Sequence, residues 1–106
     1  MTNQSFLIGD RMVGPGHPPL VIAEMSGNHN QSLDRAMALV DAAAASGAHA
    51  LKLQTYTAET ITLRQNGGDF RISDSDSLWA GENLHSLYDK AHTPWEWHKP
   101  IMDRAK

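Results

Sequence analysis

Two short apolar segments on either side of an amphipathic helix pattern constrain the fold of this chain more than any other feature. Residues 20–23 form a continuous apolar run and residues 50–53 a nearly continuous one, which is typical of strands buried on both faces of a parallel sheet. Between them, residues 33–44 repeat apolar side chains at helical spacing and place charged side chains on the other face. A strand, a helix and a strand within about 35 residues predict a βαβ unit with a right-handed crossover.

Capping signals mark the ends of this helix, and two more helices are predicted, the first from apolar residues at helical spacing and the other from a capping signal. Ser32 fits the N-cap position, where its hydroxyl accepts from an unpaired backbone donor, and Gly47 supplies the left-handed residue that ends the helix. A second helix is predicted over residues 83–91. A third is predicted to begin with a capping box, in which Thr93 caps the helix and Glu96 reaches back to it.

The remaining segments predict a leading hairpin, a connector and a long loop. Residues 6–14 hold two short apolar pieces around a polar connection, which indicates a β-hairpin, and the proline-rich residues 15–19 follow as a connector. The polar residues 55–80 predict a loop that is functional or mobile. A helical pattern still runs at Lys106, and two inner strands alone would leave a sheet edge uncovered. We therefore expect a portion of a larger α/β domain, either an eightfold barrel or a doubly wound sheet.

The composition is that of an ordinary globular chain and excludes several classes of function. With 41% hydrophobic residues among 106, the chain is too apolar for intrinsic disorder. Its formal net charge of −3 gives no reason to expect nucleic acid or an anionic membrane as a partner. The sequence has no apolar run of membrane-span length, no signal-peptide pattern and no cysteine for a disulfide scaffold or a thiolate metal site. We therefore expect a soluble protein of the cytoplasm.

Polar side chains at the carboxyl ends of the two predicted strands are the candidate functional residues, since ligands of parallel α/β folds bind there. Glu24 ends the first strand, Asn28 and His29 follow in its loop, and Lys52 and Gln54 end the second strand. A lysine within an apolar strand is costly unless its ammonium meets an anion. That anion is either a substrate group or an internal carboxylate such as Glu24, and the spacing favours neither. For Glu24 a functional role is slightly favoured, because both charges lie at one end of the sheet.

Other polar and aromatic residues carry weaker signals. His29, in a polar loop, is more typical of a solvated or hydrogen-bonded residue than of a catalyst. Trp95 and Trp97 indicate packing of a helix, and Asp74 with Asp76 indicates a solvated turn. The histidines show no recognisable metal-ligand spacing. The sequence also contains no dinucleotide fingerprint, phosphate-binding P-loop or nucleophile elbow.

Two long motifs resemble the sialic acid synthase family. Residues 21–30 are similar to that family's first strand and loop, residues 47–57 to its second strand, and residues 6–14 to its leading hairpin. Within the family, residues 52–63 and 92–98 resemble the branch whose sugar is 2,4-diacetamido-2,4,6-trideoxy-altrose. The resemblance extends over nearly the whole chain.

The resemblance implies the amino-terminal portion of a (β/α)8 TIM barrel preceded by a short β-hairpin. The hairpin then covers residues about 6–14, the first βα unit about 20–47, and the second unit begins at about 48. The rest of the barrel and a carboxy-terminal antifreeze-like domain would lie outside these 106 residues. In the family that domain completes the active site of a partner subunit, which implies a homodimer for the full-length form.

The implied reaction joins C3 of phosphoenolpyruvate to the open-chain aldehyde of an N-acetylated amino sugar, after which water adds at C2 and phosphate leaves. By position, Lys52 would bind phosphoenolpyruvate, Glu24 would be the catalytic carboxylate, and Gln54 would contact the sugar. Asn28 and His29 match the family's substrate-binding loop. Manganese or magnesium would polarise the aldehyde as a Lewis acid. Its ligands lie on strands outside this chain, so no metal ligand is assigned here, including His29.

Two alternatives stay open from the sequence. The sugar could be the mannosamine-type substrate of an N-acetylneuraminate or legionaminate synthase. Residues 26–27 and 30–31 depart from the family's usual loop but leave the key positions unaltered. Alternatively, the 106-residue chain is a non-catalytic interaction module. The unfinished sheet favours a portion of a larger enzyme over such a module, and we expect the chain alone to be inactive.

Overall fold

The computed structural model describes residues 4–106, which form short strands, helices and turns of 3₁₀-helix. The strands are β1 (Phe6–Ile8), β2 (Arg11–Val13), β3 (Ile22–Glu24) and β4 (Ala50–Lys52). The α-helices are α1 (Leu33–Ala45), α2 (Ala58–Ile61), α3 (Leu84–Ala91) and α4 (His98–Ala105). Single 3₁₀ turns span Gly68–Phe70 and Trp95–Trp97. The fold class is α/β, as the sequence pattern predicts.

Strands β1 and β2 form an antiparallel hairpin that stands apart from the hydrophobic core. Ile8 pairs with Arg11, so the connection has two residues. The first of them, Gly9, adopts the left-handed backbone (φ 63°) that tight hairpin turns need. The apolar side chains of β1 are about half exposed, which shows that the described residues do not bury them.

Strands β3 and β4, which precede and follow α1 in the sequence, pair with each other in parallel, and this confirms the predicted βαβ unit. In the register, Ala23 faces Leu51 and Glu24 faces Lys52. Leu51 packs against the core under α1, whereas Ile22, on the opposite face, is 52% exposed. The expectation that these strands are buried on both faces is therefore wrong for residues 4–106, because those residues cover only one face.

Helix α1 begins and ends where the capping signals predict. The hydroxyl of Ser32 accepts a hydrogen bond from the backbone N–H of Arg35 (3.2 Å), and Gly47 adopts the left-handed conformation (φ 86°). The apolar stripe of α1 packs on α4, in a core formed by Met25, Ala36, Val40, Trp97 and Ile101. Burial of these side chains holds the two helices together, and removing one such side chain typically costs about 2–5 kcal/mol.

A bidentate ion pair also joins α1 to α4. Arg104 donates from Nε and Nη2 to the two carboxylate oxygens of Asp41, at 2.7 and 2.6 Å. These hydrogen bonds lower the pKa of Asp41 and raise the pKa of Arg104. Both side chains are about half exposed, so the ion pair lies at the solvent-facing edge of the contact between the two helices.

The long polar stretch contains more local structure than the sequence predicts. It includes α2, one 3₁₀ turn and an isolated bridge between Arg71 and Asn83. The predicted solvated turn is present, because the Asp74 carboxylate accepts from the backbone N–H of Asp76 (2.9 Å). Asn83 then caps α3 by accepting from the backbone of Ser86 (2.8 Å).

The predicted capping box at Thr93 and Glu96 is wrong. The 3₁₀ turn Trp95–Trp97 begins after Pro94, and no side chain caps it. The Thr93 hydroxyl instead accepts a hydrogen bond from the backbone N–H of Gln54 (3.1 Å). A tertiary partner has therefore displaced the local one.

Candidate functional site

Glu24 and Lys52 form an ion pair at the carboxyl ends of the two parallel strands. Their register places both side chains on the sheet face that α1 does not cover. Lys52 Nζ donates to Glu24 Oε1 over 3.1 Å, while the two side chains remain 61% and 59% exposed. The internal pairing that the sequence left open thus exists, and it leaves most of both groups accessible.

The loop after β3 is tightly folded and held in place by long-range contacts. Ser26, Asn30 and Gln31 all adopt left-handed backbone conformations (φ 51°, 49° and 57°), which are uncommon for residues other than glycine. The Gln31 side-chain amide donates to the carbonyls of Lys90 and His92 (2.7 and 3.1 Å). This contact ties the loop beside Glu24 to the end of α3.

Asn28 stabilises the same loop from within. Its side-chain amide donates to the backbone carbonyl of Met25 (2.9 Å), and its backbone carbonyl accepts from Arg35 Nε (2.7 Å). Asn28 is itself exposed to solvent. A role in the shape of the loop is therefore visible, and its predicted role in substrate binding stays a prediction.

His29 is fully buried, although it lies in a polar loop. Its ring stacks edge-on against Trp97 (centroids 5.0 Å apart), and Nδ1 accepts from the backbone N–H of Gln31 (3.0 Å). Within residues 4–106, Nε2 has no hydrogen-bond partner. Burial lowers the pKa of His29, opposed in part by the nearby carbonyl of Ala91, so the neutral ring is favoured. Substrate binding by His29 stays a prediction, and the ring has no exposed surface through which a ligand could touch it.

Gln54 lies just beyond Lys52 and is anchored through its backbone. Its carbonyl accepts from the backbone N–H of Thr93 (2.8 Å), and its own N–H donates to the Thr93 hydroxyl. The Gln54 side-chain amide donates to the hydroxyl of Tyr56 (2.9 Å), whose ring stacks edge-on against Tyr88. Burial raises the pKa of the Tyr56 phenol, which therefore stays protonated at neutral pH.

The structure brings some of the five predicted site residues together and separates others. Glu24 and Lys52 touch, whereas no hydrogen bond in the described part of the chain joins Asn28, His29 or Gln54 to that pair. Across residues 4–106, no group of three or more histidine, aspartate or glutamate side chains is placed to hold a metal ion. No helix in that range has the length and apolar character needed to cross a membrane.

The Glu24–Lys52 pair combines two chemical capacities in one accessible place. An ammonium group has three donors, and among the described residues Glu24 takes one of them. The remaining donors suit a phosphate or carboxylate ligand. The carboxylate suits a hydroxyl donor or a proton in transfer. Such a pair can therefore bind an anionic substrate beside a polyhydroxylated one.

Sequence reasoning missed three residues that shape this site. Thr93 was predicted to cap a helix, Tyr56 was part of a motif without a role, and Gln31 was assigned none. Tyr56 follows Gln54 at a spacing of two, which is the only local signal that could have linked them. The partners of Gln31 and Thr93 are 39 to 61 residues away in the sequence.

Comparison with known proteins identifies the family to which this chain belongs. The sequence profile of the NeuB family matches residues 39–106, and the chain belongs to that family. Among individual relatives, the pseudaminic acid synthase of Helicobacter pylori is 45% identical over 89 residues, which are 84% of this chain and 26% of that protein. The pseudaminic acid synthase of Campylobacter jejuni is 43% identical over 86 residues, or 81% of this chain and 24% of that protein.

A third relative supplies a structural comparison. The spore coat polysaccharide biosynthesis protein SpsE of Bacillus subtilis is 33% identical over 102 residues, covering 96% of this chain and 26% of that protein. Its crystal structure matches this fold with a TM-score of 0.61 at 34% identity, over 95% of this chain and 24% of that one. The chain thus spans about a quarter of the length of the curated relatives it matches.

Proposed function

We propose that this chain forms the amino-terminal part of a synthase that condenses phosphoenolpyruvate with 2,4-diacetamido-2,4,6-trideoxy-altrose to give pseudaminic acid and phosphate. We call that protein the complete synthase. The observation that carries the proposal is the 43–45% identity to two pseudaminic acid synthases over four fifths of the chain or more. A (β/α)8 barrel, a homodimer completed by a carboxy-terminal domain, and a place in the cytoplasm belong to the same proposal.

Lys52 is the proposed ligand for phosphoenolpyruvate. The substrate carries a carboxylate and a phosphate, and the exposed ammonium of Lys52 offers donors that Glu24 does not use. Charge-assisted hydrogen bonds of this type are short and strong compared with neutral ones. The ammonium would offset the substrate's negative charge while C3 forms its bond to the aldehyde carbon.

Glu24 is the proposed catalytic carboxylate. The electron pair of the enol double bond forms the new carbon–carbon bond to the aldehyde carbon, while the π bond of the aldehyde breaks and its oxygen takes up a proton. C2 becomes electron-deficient, and water adds there and loses one proton to a base. The bond from C2 to the phosphate oxygen then breaks, and the remaining hydroxyl at C2 loses its proton to become the ketone. The proposal is supported by the accessibility of the Glu24 carboxylate beside Lys52, because an exposed carboxylate can accept such a proton or a hydrogen bond from a sugar hydroxyl.

Gln54 is the proposed contact to the sugar. Its side-chain nitrogen is occupied by Tyr56, and its side-chain oxygen accepts no hydrogen bond within residues 4–106. That oxygen is suited to an amide N–H or a hydroxyl of the substrate. Asn28 and His29 belong to the proposal through the loop that they stabilise beside Glu24.

A divalent manganese or magnesium ion completes the proposed enzyme, with ligands supplied by residues outside this chain. The described residues do not form a cluster of three or more side chains suited to hold it. The same proposal expects the 106-residue chain alone to release no phosphate. Sugar-dependent phosphate release by the purified chain would contradict it.

A panel of sugars given to the complete synthase tests the substrate. We expect phosphate release from phosphoenolpyruvate with 2,4-diacetamido-2,4,6-trideoxy-altrose and little with N-acetylmannosamine. Turnover with N-acetylmannosamine alone would assign the enzyme to the N-acetylneuraminate type, and turnover only with the corresponding diacetamido mannose would assign it to the legionaminate type. Phosphate release with none of these sugars would overturn the proposed reaction.

A further inference from the structure

Thr93 is one of two fully or nearly fully buried polar side chains in the described residues, at 1% exposure. It meets Gln54 through two hydrogen bonds. The Thr93 N–H donates to the Gln54 carbonyl (2.8 Å), and the Gln54 N–H donates to the Thr93 hydroxyl (3.1 Å). The two residues are 39 positions apart, so this bridge joins the end of β4 to the connection between α3 and the Trp95–Trp97 turn.

The bridge holds Gln54 where the parallel ladder has already ended. The last ladder-type contact is the hydrogen bond from Met25 to the carbonyl of Lys52, two residues earlier. Beyond it, Thr93 satisfies both the donor and the acceptor of the Gln54 backbone. A buried backbone donor without a partner costs more than the net gain of an ordinary hydrogen bond, so the hydroxyl has a strong effect on where Gln54 sits.

The direction of the Gln54 side chain depends on this anchor. The Gln54 amide reaches Tyr56 over 2.9 Å, and the Tyr56 ring is itself fixed against Tyr88 (centroids 5.5 Å apart). Because the backbone and the side-chain nitrogen of Gln54 are both held by hydrogen bonds, the position of its side-chain oxygen is also defined. A shift at the backbone would move that oxygen.

We propose that Thr93 is a positioning residue whose hydroxyl fixes Gln54 for contact with the sugar. The inference rests on the proposed function of Gln54, and Thr93 itself touches no substrate. The Thr93 hydroxyl does not cap the following turn, whose N-cap position is Pro94, a residue without a side-chain acceptor. The effect is specific to one substrate, because Lys52 is held separately by the β3–β4 ladder.

The test uses two variants of the complete synthase. Thr93→Val keeps the shape and the backbone half of the bridge but removes the hydroxyl acceptor, whereas Thr93→Ser keeps the acceptor. We expect Thr93→Val to raise the KM for the sugar by about fivefold, the effect of one lost hydrogen bond, with the KM for phosphoenolpyruvate within about twofold. Thr93→Ser should restore the wild-type KM for the sugar. Thr93→Ala serves if the valine variant does not fold.

A double variant separates positioning from general damage. In a Gln54→Ala background, Thr93→Val should change the KM for the sugar by less than about twofold, because its route to the sugar is already lost. An unchanged KM in Thr93→Val, an equal rise for both substrates, or the same factor in the Gln54→Ala background would overturn the proposal.

Hydrogen exchange distinguishes failure of this proposal from failure of the proposed reaction. If the complete synthase turns over none of the sugars, exchange of the peptide covering residues 53–57 still measures the bridge. Faster exchange in Thr93→Val than in wild type and Thr93→Ser supports the anchor. Equal exchange in all three proteins refutes it.

Discussion

Replacing Lys52 by methionine should separate its role in folding from its role in binding. Methionine keeps the length of an apolar stem and removes the charge. In the structure, the partner of Lys52 is Glu24, and both side chains are more than half exposed. Water screens such a pair, so its net contribution to stability is about 0–1 kcal/mol. We therefore expect the free energy of unfolding of Lys52→Met to stay within about 1 kcal/mol of wild type.

The effect on phosphoenolpyruvate should be much larger. One donor of Lys52 stays with Glu24, which leaves two for the substrate's anionic oxygens. A hydrogen bond to a charged group contributes about 1.5–3 kcal/mol, so two of them correspond to about 3–6 kcal/mol. That loss lowers kcat/KM for phosphoenolpyruvate by about 10²–10⁴.

Phosphate release at varied phosphoenolpyruvate, together with thermal unfolding, measures both effects. Lys99→Met is the matched control, because Lys99 is also exposed and ion-paired, with Asp103 at 2.6 Å, but lies on α4. The control should retain kcat/KM within about threefold. A Lys52→Met enzyme with the same kcat/KM as wild type, or an equal loss in Lys99→Met, would refute the role of Lys52.

Three further predictions concern stability and are measured by urea unfolding of the complete synthase. Gly27→Ala should destabilise by about 1–3 kcal/mol, since its new Cβ would lie 2.9 Å from the Cβ of Ala91. Gly67→Ala, which meets nothing within 4 Å, is its control, and equal effects would contradict the packing argument. Ser32→Ala should lower the free energy of unfolding by about 1 kcal/mol, because the helix cap is lost, and Ser32→Asp should restore it. Equal stability of the two variants would show that the cap does not contribute. Burial of His29 lowers its pKa, so the unfolded chain takes up the proton first. Its contribution to stability is therefore complete above pH about 6.5 and is lost as pH falls from there toward the lowered folded pKa; His29→Asn should weaken that pH dependence, and an unchanged profile would contradict it.

Local signals predicted the secondary structure where a single residue type decides the backbone. Ser32 and Gly47 bound α1 as expected, because a hydroxyl acceptor and a left-handed glycine act on their nearest turn. Thr93 shows where the same reasoning fails. Its hydroxyl can accept a hydrogen bond either from a nearby backbone N–H or from the N–H of Gln54, and only the tertiary structure determines which bond forms.

The candidate site was predictable from the sequence only in part. Parallel strands place their carboxyl ends together, so the contact between Glu24 and Lys52 follows from the βαβ pattern. The burial of His29 does not follow from that pattern, because it depends on Trp97, which lies 68 positions further along the chain and contacts the ring through tertiary packing. The short helix α2 was also missed, since four residues are too few to show a helical period.

The three left-handed residues after β3 have a consequence for the order of folding. Ser26, Asn30 and Gln31 each occupy a backbone region that the free chain rarely visits. Gln31 is held there by carbonyls about 60 positions further along the chain. Contacts between residues so far apart in the sequence tend to form late in folding, so we expect Gln31 to reach its native conformation only when α3 packs beside the loop. Substitutions in this loop should therefore act on the rate of unfolding rather than on the rate of folding.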